Sequence, residues 1–164
     1  MKIIISDILN LPLQANQANN ELRILDREID LCHCFGCLGC WLKTPGQCVV
    51  EDEYANMGRL LASCHDLVFV SECVYGSFSP YVKNVLDRSI SYLSPYFVIR
   101  DKKMCFKRRY DNVINICAYF YGAVTEKEKD TATALLSAIA LNFDAKISGA
   151  YFFDSPDEVR KALV

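Results

Sequence analysis

Apolar residues along this chain fall into two alternating patterns. Nearly continuous runs rich in β-branched and aromatic residues occur at Lys2–Ser6, Glu21–Asp26, Asp66–Ser71, Asn112–Phe120 and Ala145–Phe153. Such runs suit strands covered on both faces of a sheet. Between them, apolar positions recur with a helical period: Tyr54, Met57, Leu60, Leu61 and Cys64; Val82, Val85, Leu86, Ile90 and Leu93; Ala132, Leu135, Leu136, Ile139 and Phe143. Each set forms one stripe on a helix. Capping signals sit where such helices should begin. Ser79-Pro80 places a capping hydroxyl before a proline at the first helical position, and Thr125 with Glu128 makes a capping box. Ser155, Pro156 and Glu158 repeat both signals ahead of a short final helix. Strands alternating with helices predict βαβ units with right-handed crossovers, hence an α/β fold with a parallel sheet of five strands in a three-layer sandwich. The first connection is unusual, because Asp7–Asn20 contains Pro12 and several amides and leaves room for a short helix at most.

A chain of 164 residues fits a single domain, 1–164, with a full hydrophobic core. A net charge of -2 and a pI near 5.7 argue against a nucleic-acid or anionic-membrane binder, both of which need a strong positive field. The expected partner is a small-molecule substrate or an electron-transfer protein. The N-terminus lacks the basic start and cleavage site of a signal peptide, and no apolar stretch is long enough to span a bilayer, so the predicted location is the cytoplasm. Thiols stay reduced there, and nine cysteines then read as metal-binding, catalytic or buried rather than as a disulfide framework.

Four of those cysteines, Cys34, Cys37, Cys40 and Cys48, lie within fifteen residues beside the only tryptophan, Trp41. Thiolates two residues apart on a turning backbone can converge on one metal or cluster. The tract admits an iron-sulfur cluster, a tetrahedral zinc, thiol–disulfide exchange, or simple packing around Trp41. Cys64, Cys105 and Cys117 stand alone and read as core residues. His33 and His65 each adjoin a cysteine and read as packing groups. Downstream, residues 73–79 form a loop at the carboxyl end of the third strand, where Gly76 would let backbone amides approach a planar ligand. The alternative is an ordinary strand-to-helix loop ending in a Ser-Pro cap.

Two segments, CFGCLGCWLKTPGQCVVEDEY and SECVYGSFSPYVKNVLDR, resemble the flavodoxin-like NAD(P)H-dependent flavin reductases, including the branch called iron-sulfur flavoproteins. The resemblance covers nearly everything from Cys34 onward. It implies a doubly wound sheet in strand order 2-1-3-4-5, FMN at the carboxyl ends of the strands, and a homodimer or tetramer. It would place Cys73, Val74, Tyr75, Gly76 and Ser77 at the isoalloxazine ring, with Ser79 capping the next helix and touching the ligand. It would make Cys34, Cys37, Cys40 and Cys48 the ligands of a [4Fe-4S] cluster. The implied function is an FMN-dependent oxidoreductase that takes electrons from NADH or NADPH and passes them to an acceptor, with the cluster as a one-electron relay.

Where the family carries a Gly-Ser-Pro-Arg-like stretch that cradles the FMN phosphate, this chain reads Ser6-Asp7-Ile8-Leu9-Asn10. No glycine is present, and Asp7 would repel a phosphate, which predicts weakened FMN binding. The competing expectation is a non-enzymatic binding or assembly module that keeps the cysteine tract for structure or metal. The cationic run Arg100–Tyr110 reads as a solvated extension, or else as a dimer arm or a clamp for NAD(P)H phosphates. Tyr92, Leu93, Tyr96, Phe97 and Val98 read as an apolar surface at a subunit contact.

Overall fold

A computed structural model describes residues 1–13, 22–27 and 31–163. The sheet consists of β1 (Lys2–Ser6), β2 (Leu22–Leu25), β3 (Asp66–Glu72), β6 (Asn115–Tyr121) and β7 (Lys146–Phe153), all parallel, in the order β2-β1-β3-β6-β7. Counted within the sheet alone this is the expected 2-1-3-4-5 arrangement, and the molecule is a flavodoxin-like α/β fold. Glu21 and residues 14–20, half of the Asp7–Asn20 connection, lie outside the described residues.

Burial explains the strand pattern. In β1 the four residues after Lys2 are buried, and in β3 the five between Asp66 and Glu72 are buried, because both faces are covered. β6 instead alternates buried and half-buried positions, and β7 is largely open, with Ile147 and Tyr151 exposed on the sheet's outer strand. The expectation that all five strands are covered on both faces therefore holds for the centre and fails at that edge. One face packs Ile3, Ile5 and Phe69 against α2 (Met57–Ala62), α3 (Pro80–Arg88) and α4 (Glu126–Phe143). The other face is thinner. Ile4, Val68 and Val70 meet Ile8, Leu11 and Val159, the last from α5 (Pro156–Ala162).

The caps form as the sequence predicts. The Ser79 hydroxyl accepts from the Val82 amide, Thr125 and Glu128 form a reciprocal capping box, and the Ser155 hydroxyl accepts from the Glu158 amide. Among the described residues no helix is long and apolar enough to cross a membrane.

The run 93–108 differs from expectation. It is an antiparallel hairpin, β4 (Leu93–Arg100) and β5 (Lys103–Arg108), turning at Asp101 and Lys102, both with positive φ. Its arginines are not merely solvated. Arg100 and Arg108 both pair with Asp144, at 3.3 and 3.1 Å, and Arg109 donates to the carbonyls of Ser91 and Leu93. The predicted apolar surface also divides: Tyr92 and Leu93 are buried, Val98 is half-buried, and Tyr96 and Phe97 are exposed on the hairpin, where Ile99 and Met104 join them.

Candidate functional site

The cysteine tract is a loop between β2 and α2 that α3 and the residues just after it hold in place. Two left-handed residues, Gly36 and Leu38 with φ of 63° and 55°, reverse the backbone between successive cysteines. The short α1 (Gly39–Leu42) follows. Trp41 anchors it: the indole N–H donates to the carbonyls of Ile90 and Leu93, at 3.2 and 3.1 Å, and the ring packs on Phe106 at 5.1 Å.

Two residues of α3 one turn apart, Asn84 and Arg88, fasten the other side of the loop. Asn84 accepts from the Cys34 amide at 3.3 Å and meets Nδ1 of the exposed His33 at 2.8 Å. Arg88 has a fully buried side chain and makes a two-pronged contact with Asp52, at 2.6 and 2.7 Å. It also donates to the carbonyls of Cys32 and Val50. Burial works against both charges of this pair, but their mutual hydrogen bonds outweigh it. Asp52 is held below the ordinary carboxylate range, and Arg88 above its ordinary value, with Cys48 adding to the latter. Sequence reasoning passed over Arg88 and Asp52, although both lie in the two diagnostic segments.

All four cysteines of the tract line one cavity of about 60 Å³, together with Asp87 and Arg88. Cys40 is buried, and burial pushes its thiol pKa up; the charges of Cys48, Cys34 and Cys37 push it further. The other three thiols therefore lie near enough to influence Cys40. Cys34 and Cys37 are nonetheless exposed, and among the described residues no three His, Cys, Asp or Glu side chains stand in ligating geometry. In chemistry alone, four thiols lining one cavity suit a four-thiolate centre. Arg88 Nε lacks a hydrogen-bond partner among the described residues. A larger apolar groove of about 400 Å³, between α3, the hairpin and α4, adjoins the cavity and shares Cys34 and Gly36 with it.

The expected flavin loop is built differently. Val74 and Ser77 exchange two backbone hydrogen bonds of 2.9 Å across a tight turn whose centre, Tyr75 and Gly76, has φ of 51° and 75°. The Cys73 amide donates to Tyr121 O, and the Ser79 amide to Ser71 Oγ. Four amides of the loop are thus already engaged. Gly76 is required for a reason other than ligand approach, since a Cβ there would lie 2.6 Å from Thr131 Cβ in α4. Tyr75 projects outward, 88% exposed. None of the cavities described above includes a residue of 73–79.

At the end of β1, Ser6 Oγ is spent on Ile8, accepting from its amide and donating to its carbonyl. Asp7 is buried, and its carboxylate accepts from the Glu72 amide at 2.8 Å and the Tyr121 hydroxyl at 2.9 Å. It therefore bridges β1, β3 and β6 across the point where strand order reverses, the crevice that holds ligands in such sheets. Burial and the Asp7 charge raise the Tyr121 pKa. No helix begins within residues 7–13, and the residues described there do not fit an FMN phosphate.

No protein-family model matches the chain, and no curated protein matches its sequence. Solved structures do resemble it. An azoreductase from Bacillus anthracis superposes with a TM-score of 0.55 at 12% identity, covering 99% of this chain and 94% of the other. General stress protein 14 of Treponema denticola, solved in complex with FMN, gives 0.52 at 12% identity, covering 99% and 90%. A flavone reductase gives 0.52 at 13% identity, with 99% of this chain matched to 59% of that one. At such identities the likeness establishes the fold.

Proposed function

We propose that this chain is an oxidoreductase on the flavin-reductase scaffold, and that its electron-carrying group is a metal centre held by Cys34, Cys37, Cys40 and Cys48. The observation that carries this reading is the single cavity lined by all four cysteines and by a buried, charged arginine. A four-thiolate iron-sulfur cluster supplies one-electron transfer when bound. The chain's own residues do the rest. Trp41, packed on Phe106, anchors the tract, Asn84 and Arg88 fix its backbone, and the adjoining groove offers a small apolar acceptor a place beside Cys34. Protein purified without oxygen should show broad visible absorbance with stoichiometric iron and sulfide. A colourless protein that binds zinc supports the competing assembly-module reading. One that takes up no metal contradicts the proposal.

A flavin reading has the fold likeness to an FMN-bound chain in its favour. In it, Cys73, Val74, Tyr75, Gly76, Ser77 and Ser79 would meet the isoalloxazine ring, NADH or NADPH would be the electron donor, and no phosphate cradle would contribute. FMN and riboflavin should then bind within a few-fold of each other. If neither quenches in a fluorescence titration, flavin has no place in this protein. The exposed hairpin residues Tyr96, Phe97, Ile99 and Met104 support a homo-oligomer.

A further inference from the structure

We infer that the Nε–H of Arg88 is a donor reserved for a sulfur of the cysteine-held centre, which makes Arg88 the positioning residue that sets the centre's reduction potential. The inference rests on the metal-centre reading above and extends it. A guanidinium has five N–H groups. On Arg88, Nη1 donates to Cys32 O and Asp52 Oδ2, and Nη2 to Asp52 Oδ1 and Val50 O. Nε alone meets no acceptor in hydrogen-bonding geometry among the described residues, although the side chain is fully buried, and Cys48 lies near enough to raise the guanidinium's pKa.

A buried cationic donor left unmet is costly and calls for an acceptor. Arg88 lines the same cavity as the four cysteines and Asp87; Asp87 is engaged by Lys83, which leaves the sulfurs as the acceptors in that space. Asp52 grips the far edge of the guanidinium, which aligns the side chain and leaves the Nε edge unspent. A thiolate-ligated centre is anionic and becomes more so on reduction. A fixed N–H donor beside it stabilises the reduced form and raises the potential.

The test uses full-length protein loaded without oxygen, with iron and sulfide in one arm and zinc in the other. In the zinc arm, the ¹⁵N-arginine spectrum of the wild type should show the Arg88 Nε–H resonance, assigned with Arg88→Lys, shifting on loading. In the iron arm, Arg88→Lys should keep its iron and show a lower midpoint potential than wild type. Arg88→Lys retains charge but lacks Nε–H, and Arg88→Gln combined with Asp52→Asn avoids a lone half-buried carboxylate should the single variant fold poorly. Unchanged potential in both variants with iron bound, or an Nε–H resonance indifferent to zinc in the wild type, overturns the inference and leaves the metal reading standing. A wild type that binds neither iron-sulfide nor zinc overturns both.

Discussion

Replacing Asp7 with alanine removes the acceptor for the Glu72 amide at 2.8 Å and for the Tyr121 hydroxyl at 2.9 Å. Asp7 is only 6% exposed, so bulk water cannot simply take its place. A hydrogen bond to a charged group contributes about 1.5–3 kcal/mol. Two are lost, while the burial cost of the carboxylate is relieved, for a net loss of about 3 kcal/mol. In a chain of this length that corresponds to roughly 6–12 °C in Tm. Asp7→Asn keeps one good acceptor and should lose about half as much. Urea unfolding measures the effect as a lower midpoint at unchanged slope. Under the flavin reading, removing this negative charge from the crevice should make FMN bind Asp7→Ala more tightly than wild type. An alanine variant that unfolds at the wild-type midpoint refutes the bridging role.

Gly76→Ala forces a Cβ to within 2.6 Å of Thr131 Cβ at a φ of +75°, which should cost about 2 kcal/mol or more and show as a drop in Tm. Burial raises Cys64 to a pKa of about 11 and Tyr92 to about 12, against 9.0 and 10.0 when free. Each folded pKa exceeds its unfolded value, so the stability these groups contribute is whole below pH 9 and is lost as pH rises toward 12. Urea midpoints should fall across that window, and Cys64→Ala should flatten its lower part. Tyr96→Lys with Phe97→Lys, on side chains 69% and 57% exposed, should reduce the mass measured by light scattering, and an unchanged mass would remove the hairpin from the subunit contact.

The central strands and helix caps were legible because their signals are local. A β-branched run covered on both faces reads the same wherever it sits, and Ser79, Thr125 and Ser155 act within their own first turns. The hairpin was not legible, because its turn uses Asp101 and Lys102 in place of glycine or asparagine, and its cations looked like a solvated run. Only the fold supplies Asp144 to pair with them. The cysteine spacing placed four thiols around one cavity, but not in ligating geometry. Arg88 escaped notice because its meaning comes from Asp52, 36 positions away. Asp7 was read as a repulsive charge at a ligand site, whereas the neighbouring strands supply it with two donors that no local pattern encodes.

The central claim is tested most directly by X-ray absorption on the iron-loaded protein, prepared without oxygen as wild type and as single serine variants of Cys34, Cys37, Cys40 and Cys48. The account predicts iron coordinated only by sulfur in the wild type, and loss of sulfur coordination or of iron itself in each variant. Iron bound with the same coordination in all five proteins, or no iron bound in the wild type, would contradict it.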